Sequence, residues 1–352
     1  MEMEPSSHAI PARGRRDASP TAQVTRRRGG LPPATKLIAY GLLLFFVARV
    51  ATMAWEAVQI RRAELYAERQ VAVEIPFQRL PVLKPGQDGW RDATLLSAVE
   101  KAVNPGVGNV SVYVKSLNTG AMVSIDDDSL FPSASLFKIP ILVELLRQQG
   151  MGIHNMDTKI QLQQRHWVDG AGVLQARIGE EFTVRELTEL MIQVSDNIAA
   201  LALLELVGVD NVNLTLQANG LEKTRLRIGQ PSQDWGGQPG ENSVTAREMG
   251  ILLEKVATGK LLSESGSKEA LHLLSLKQQV AWLPALLPPN VTVAHKSGEL
   301  PHLRHDAGIV YGPRSQFVVV ALTSDLTDHD AAADYIARIA RVAYDYFEVG
   351  KR

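Results

Sequence analysis

The chain has 352 residues, 45% of them hydrophobic and 21% charged, and a formal net charge of −1. That length admits one large domain or two small ones, and the near-balanced charge gives no electrostatic basis for a nucleic-acid partner. Cysteine is absent, which excludes disulfides, thiolate nucleophiles and cysteine zinc sites and leaves the redox compartment open.

Residues 1–36 are rich in Pro, Ser, Ala and Arg and have no apolar period, so a disordered basic tail is predicted. Residues 37–55 form a Leu/Phe-rich run, interrupted by Arg49, with the length of a transmembrane helix. A central arginine costs roughly 2.5–3.5 kcal/mol on insertion scales, and less where it snorkels. Arg26, Arg27, Arg28 and Lys36 precede the run and few basic residues follow it directly. This predicts a cytoplasmic N-terminus with everything later outside. The rival reading is a cleaved signal peptide. Against it stand a long leading region and a poor cleavage site at Ala51-Thr-Met-Ala54. Both readings export the bulk of the protein. Residues 56–91 mix charge, Pro and Gly and read as a juxtamembrane linker.

A folded body is expected over residues 92–352. It opens with an amphipathic helix at 91–100, then a strand at 109–117, a turn at Asn118-Thr-Gly120 and a hairpin partner at 121–125. A buried helix is predicted to start near Ser135 and run to Arg147, with Pro140 tolerated in its first turn. Thr183-x-x-Glu186 and Thr245-x-x-Glu248 match capping boxes and mark two further helix starts. Strands are predicted at 291–294, 307–311 and 316–323, and a closing amphipathic helix at 330–347. Strands from both ends of the body with helices between them predict an α/β layered domain.

Three short motifs carry chemistry. In Ser135-x-x-Lys138 the two residues share one helix face. A lysine whose pKa is lowered by burial can take the proton of a serine nucleophile, and a helix N-terminus offers N–H groups to a developing oxyanion. Ser195-Asp196-Asn197 lies 60 residues after Ser135, at the end of an apolar helix, and Lys296-Ser297-Gly298 lies 101 residues after Ser195, at the end of a strand. Each has an ordinary reading taken singly: a helix start, a helix-ending cap, a strand-end turn. In this order and spacing the set resembles the serine penicillin-recognising enzymes, and residues 92–348 closely resemble class A β-lactamases. Phe131-Pro-Ser-Ala134 and Gly170-Ala-Gly-Val-Leu174 agree with that resemblance.

The resemblance implies the β-lactamase/transpeptidase-like fold: an antiparallel sheet formed by both ends of the domain, with a helical insert. It implies that Ser135 is acylated, that Lys138 accepts or relays its proton, and that Ser195 passes a proton to the departing amine. Asn197 is then expected to hold the substrate's acyl-amide chain, and Lys296 and Ser297 its carboxylate. Gly298 lets the substrate lie against the strand, and the backbone N–H groups of Ser135 and Glu299 form the oxyanion hole. A β-lactam or a D-Ala-D-Ala peptide is the implied substrate. A monomer held by its N-terminal helix in a bacterial cytoplasmic membrane is expected, with no cofactor and no metal.

The sequence departs from the family in the deacylation loop. The family's loop carries a glutamate that activates water. Here the matching stretch, Thr224-Arg-Leu-Arg-Ile-Gly-Gln230-Pro-Ser-Gln-Asp234, holds Gln230 at that position and Asp234 where the family has asparagine. An amide has no basic lone pair of useful pKa, so Gln230 can orient a water and cannot take its proton. The loop's arginine is replaced by Ile228, and its acidic partner by Asn242. Asp234 and Glu241 are the substitute bases on offer. Without one, the chain is expected to acylate and release slowly, as membrane-anchored DD-peptidases of the PBP-A type resemble it in doing. The alternatives are a working β-lactamase and a sensor with little turnover. Arg304 reads either as a further carboxylate ligand or as a surface residue, and Trp167 as an aromatic gatekeeper or a core residue. His302, His305 and Asp306 superficially resemble metal ligands.

Overall fold

The computed structural model describes residues 89–103, 108–227 and 242–350, together with residues 40, 42, 45–50 and 53. The tail at 1–36, most of the linker, and Ile228, Gln230, Asp234 and Glu241 lie outside the described residues. Within the expected anchor, residues 45–50 are helical and exposed. Among the described residues no single helix is long and apolar enough to cross a membrane.

The central sheet has five antiparallel strands in the order β2-β1-β9-β8-β7. Strands β1 (Asn109–Ser116) and β2 (Met122–Ile125) come from the start of the body. Strands β7 (Thr292–Leu300), β8 (Leu303–Tyr311) and β9 (Gln316–Ser324) come from its end. β9 lies in the middle, paired with β1 from Asn109↔Ser324 to Ser116↔Phe317. Its continuous apolar run suits a strand buried on both faces. Phe317, Val319 and Ala321 face one core with α1 (Ala93–Ala102) and α8 (His329–Val349). Val318, Val320 and Leu322 face the other core, which contains the helical body. The expected α/β layered architecture is what the chain adopts.

At the centre of that helical body is α2 (Lys138–Gly150), in which every residue from Lys138 to Leu146 is buried. A helix apolar all round belongs inside. Its buried acid, Glu144, accepts from Arg147, Gln148 and Thr215, so no charge is left unpaired. Around it pack α3 (Val184–Gln193), α4 (Asn197–Val207), α5 (Val209–Ala218) and α7 (Glu264–Ser275), while α6 (Ala246–Ala257) lies on the sheet against β1, β8 and β9. Three two- or three-residue strands, β3 (Phe131–Pro132), β5 (Glu181–Thr183) and β6 (Ser243–Val244), brace the connections, with β4 (Lys159–Gln161) paired to β5.

The structure corrects the sequence reading in four places. The segment 134–137 is a 3₁₀ turn, and the α-helix starts at Lys138 rather than at Ser135. β7 runs through Lys296-Ser297-Gly298 to Leu300 instead of ending at 294, and β8 begins at Leu303 rather than 307. The polar motif hid the strand, because it is buried for its function and not for its hydropathy. Ser195-Asp196-Asn197 is not only a helix end, since Asp196 is the N-cap of α4 and Asn197 its first residue. Finally, the Thr183/Glu186 capping box is complete, whereas the Thr245/Glu248 box is one-sided. Glu248 instead accepts the backbone N–H groups of Glu222, Lys223 and Thr224, fastening the stretch that leads into the deacylation loop.

Gly250 of α6 lies against β1, and a Cβ there would stand 2.3 Å from the ring of Tyr113. Alanine gains about 1 kcal/mol in a helix interior, while overpacking a filled core costs about 1–3 kcal/mol. Gly250→Ala is therefore expected to lose about 1 kcal/mol net in a denaturant titration. Unchanged stability would mean that the Tyr113 ring yields without cost.

Candidate active site

Ser135 is presented by a chain segment fixed on several sides. Phe131 and Pro132 pair with Val244 and Ser243. The Ser133 N–H donates to the Asn242 carbonyl at 2.7 Å. His305, fully buried on β8, donates from Nε2 to the Pro132 carbonyl at 2.8 Å and accepts at Nδ1 from the Thr323 N–H at 3.1 Å. Burial pushes its pKa down to about 4, so the ring is neutral near pH 7 and its tautomer is set by these two bonds. Ala134 then adopts φ 42°, a left-handed conformation uncommon outside glycine. Such strain persists where the surroundings over-determine it, and here it aims the next residue, Ser135, out of the turn.

Lys138 has no exposed surface. Its Nζ lies 3.2 Å from Ser135 Oγ, 2.9 Å from Ser195 Oγ, 2.5 Å from the Ser195 carbonyl and 2.8 Å from Asn197 Oδ1. Burial holds its pKa well below that of an ordinary lysine; the nearby Lys296 charge adds to this and the Asp196 charge opposes it. A neutral amine has one lone pair, and the Ser135 hydroxyl is within its reach. Ser195, itself at φ 57°, donates from Oγ to Ser135 Oγ at 2.8 Å. The two serines and the lysine thus form one hydrogen-bonded ring through which a proton can leave Ser135 and return on the other side.

Asp196 was not singled out by sequence reasoning, and it organises the wall of the site. Its Oδ1 accepts the Ala199 N–H, and its Oδ2 accepts those of Val173 at 2.6 Å and Leu174 at 3.1 Å. Burial raises its carboxyl pKa, while these amides and Lys138 pull the other way. Gly172 passes so close that a Cβ would stand 2.2 Å from Asp196 Oδ2, at φ +125°. The Asn197 N–H holds the Ala171 carbonyl at 3.0 Å. The glycines of Gly170-Ala-Gly172 were the visible signal; the carboxylate that needs them was hidden within Ser-Asp-Asn.

On the opposite wall, β7 carries Lys296, Ser297, Gly298 and Glu299. A Cβ on Gly298 would stand 3.1 Å from both the Ser135 nitrogen and the Ala134 Cβ, a tight contact, so glycine eases the close approach of the strand edge to Ser135. Lys296 is 1% exposed; it donates to the Ser297 carbonyl at 2.9 Å and reaches Gln278 Oε1 at 3.4 Å. Burial lowers its pKa to about 8. The Ser297 hydroxyl donates to the Val280 carbonyl at 2.8 Å. Behind them His295 Nδ1 donates to Asp306 Oδ1 at 2.8 Å, and Asp306 Oδ2 accepts the N–H groups of Trp282 and Leu283 at 3.0 Å each.

Two cavities flank Ser135. One, of about 370 Å³, is lined by Gln193, Ser195, Gln278, Lys296 and Ser297. The other, of about 720 Å³, is lined by Phe137, Trp167, Asn197, Leu300 and Pro301. Trp167 is 45% exposed, so it stands at this mouth and not in the core. Arg304 lines neither cavity. Its Nε and Nη2 both donate to Glu299 Oε1, at 3.1 and 3.0 Å, and its guanidinium lies 5.5 Å from the Trp282 ring. It is thus committed to Glu299 and is not a free carboxylate ligand. His302, His305 and Asp306 are not brought together either. His305 faces Pro132, Asp306 faces His295, and the His302 ring lies 6.2 Å from that of His329. Gln230 and Asp234 lie outside the described residues, but the neck of their loop does not. Arg225 and Ser243 exchange two backbone bonds of 3.0 Å, and Asn242 Oδ1 accepts the Arg227 N–H at 2.9 Å. A neutral amide thus closes the neck, at the position where the sequence reading has the family's ion pair lost.

A serine–lysine–serine group with its lysine buried at a helix start, walled by an antiparallel strand that carries a second lysine, defines a serine enzyme of acyl transfer on a β-lactamase/transpeptidase fold. The comparisons agree. Residues 94–347, well over half of the chain, match the β-lactamase enzyme family. β-Lactamase VEB-1 of Pseudomonas aeruginosa is 26% identical over 272 residues, covering 71% of this chain and 88% of that protein. The β-lactamase of Streptomyces albus G is 28% identical over 267 residues, covering 70% and 82%. Among solved structures, PBP-A superposes with a TM-score of 0.68 at 26% identity, over 74% of this chain and 98% of PBP-A. An ancestral class A β-lactamase superposes with a TM-score of 0.67 at 27% identity, over 72% and 100%. The chain belongs to the β-lactamase enzyme family, within the superfamily of class A β-lactamases and penicillin-recognising serine enzymes.

Two outcomes are expected. Lys296 is cationic below its pKa of about 8 and neutral above it. Its attraction for an anionic substrate is therefore present below about pH 8 and lost above. The second-order rate constant for acylation by benzylpenicillin should fall as pH rises through 8, up to about tenfold per unit. A flat profile from pH 7.5 to 9.5 would exclude Lys296 as the anion ligand. Asp196→Asn replaces one of two accepting oxygens with an NH₂ group that faces backbone donors. It should slow acylation by a chromogenic cephalosporin roughly tenfold to hundredfold by loosening the 170–174 wall. An unchanged rate would show that the wall is held by other means.

Proposed function

We propose that the chain is an exported, membrane-anchored serine acyltransferase or hydrolase of the DD-peptidase kind, acting on D-Ala-D-Ala peptides of peptidoglycan and trapped by β-lactams. One observation carries this reading: the acylation group is complete, with Ser135 Oγ bonded to both Lys138 and Ser195, while Gln230 occupies the sequence position of the deacylating glutamate. Lys138 removes the Ser135 proton as Oγ attacks the scissile carbonyl. The oxyanion is met by the N–H groups of Ser135 and Glu299, and Ser195 delivers the proton to the departing nitrogen. Lys296 and Ser297 take the substrate carboxylate, and Asn197 the acyl amide. The ester then persists, because Gln230 cannot activate water. Two further observations support the reading. PBP-A is among the similar structures, and a PBP-A variant has been solved as its acyl-enzyme with penicillin G. The apolar run at 37–55 supplies the anchor, the domain works as a monomer outside the membrane, and no cofactor takes part.

Intact-mass spectrometry of the full-length protein with benzylpenicillin is expected to show an adduct that persists for minutes to hours and is absent in Ser135→Ala. Disappearance of penicillin without an adduct would make the protein a β-lactamase, with Asp234 or Glu241 as base. Survival of the penicillin with no adduct would favour a sensor. Gln230→Glu is expected to raise β-lactam hydrolysis by about 100-fold or more, the scale of general-base catalysis; no gain would place the missing base elsewhere.

A further inference from the structure

Strand β7 lies at one edge of the central sheet. The outer side of an edge strand presents backbone N–H and C=O groups that no further strand pairs. Beside Lys296 a glutamine side chain takes the place of that missing strand. Gln278 is 6% exposed. Its Nε2 donates to the His295 carbonyl, and its Oε1 accepts from the Ser297 N–H and from Lys296 Nζ, at 3.4 Å each. One of these partners is an acceptor and the other two are donors, which fixes the orientation of the amide. A carboxylate here would set an oxygen against the His295 carbonyl. An apolar side chain would leave the carbonyl, the amide and the ammonium without this partner, a cost borne by each buried group.

The segment that carries Gln278 is tied to both walls of the smaller cavity. The Gln279 N–H donates to the carbonyl of Gln193, two residues before Ser195, at 2.9 Å, and the Ser297 hydroxyl donates to the Val280 carbonyl. Gln278 and Lys296 line that cavity together with Ser135 and Ser195. A lysine ammonium is a point charge on a flexible stem, so its direction is set by its acceptors. For Lys296 these are the Ser297 carbonyl and Gln278 Oε1, both neutral. They direct the ammonium and leave its charge for a ligand. The charges that act on Lys296 are Lys138 at the start of α2 and Asp306 on β8. On its own strand His295 is engaged with Asp306 and Glu299 with Arg304, and Lys277, next to Gln278 in the chain, is exposed.

We propose that Gln278 is a positioning residue for the reaction: its side-chain amide aims the Lys296 ammonium and holds the β7 edge at 295–297, and so sets how strongly the enzyme prefers an acyl donor with a free carboxylate. The inference rests on the reading of Lys296 as the ligand of the substrate anion. Gln278 touches no reacting atom. It acts through Lys296, and its neutrality matters as much as its reach, because an acid in its place would itself occupy the ammonium.

The test uses the full-length protein in detergent and two probes, benzylpenicillin and its methyl ester, with the acylation rate of each followed by intact mass. In the wild type the acid should react about tenfold faster than the ester at pH 7, and this ratio should decline as pH rises through about 8. In Gln278→Leu the ratio at pH 7 should fall about five- to tenfold, and its decline should move to lower pH, because a buried ammonium loses an acceptor. In Gln278→Glu the decline should move the other way, up by about one pH unit, because a carboxylate then stands beside the ammonium. Ratios are taken within each variant, so a loss of folded protein does not change them. Equal slowing of acid and ester in Gln278→Leu with the ratio kept, or a decline that stays in place or moves in the same direction in both variants, would overturn the inference and leave Gln278 a structural residue. Equal rates for acid and ester in the wild type would instead overturn the reading of Lys296 on which it rests.

Discussion

The site depends on an amine held where water cannot reach it. Lys138 has no exposed surface and sits at the head of a helix that is buried on all sides. Desolvating an ammonium is costly, and the protein compensates only in part, with neutral oxygens from Ser135, Ser195 and Asn197. Among the described residues the carboxylate that opposes the lowered pKa is Asp196, and it spends its oxygens on backbone amides. Lys296 presses in the same direction as burial. The arrangement keeps the base form within reach, which a surface ion pair would not do. Much of the surrounding fold serves this state: the apolar α2, the α4 N-cap that turns Asp196 inward, and the strand edge that seals the other side.

Neutral and buried links do the positioning around it. His305 ties β8 to Pro132 across 173 residues of sequence, and it does so as an uncharged ring. Asn242 closes the loop neck with an amide. Asp306, behind the Lys296 wall, gives one oxygen to His295 and the other to two amides. His305 and Asp306 have both of their side-chain polar atoms answered, so neither leaves an orphaned polar group in the frame of the site.

Much of this was legible in the sequence, and the limits have a physical pattern. Short-range features read well: the serine and lysine three apart, the Thr183 box, the apolar run of β9. The triple motif identified the family because three independent fragments agreed. What escaped was long in sequence separation or ran against hydropathy. Asp196 looked like the middle of a motif, yet its partners Val173 and Leu174 lie 23 and 22 residues away. β7 looked too short because its buried half is Lys-Ser-Gly. Glu248 matched a capping rule and answered to a different segment altogether. Arg304 and His305 were both candidates for chemistry, and only their neighbours across the sheet show that they hold the frame.

The pairing of β1 with β9 has a consequence for how the enzyme comes into being. Partners such as Asn109 and Ser324 are brought together from opposite ends of the domain. The edge of β7 that flanks Ser135 is likewise added only after the whole helical insert has been made. Closing such loops carries an entropic cost that no local contact repays, so folding is governed by non-local contacts. A helix such as α2 can begin early, but the strand wall beside the preceding Ser135 cannot. The hydrogen-bonded group around Ser135 is therefore incomplete in a nascent chain, and it is assembled only with completion of the sheet.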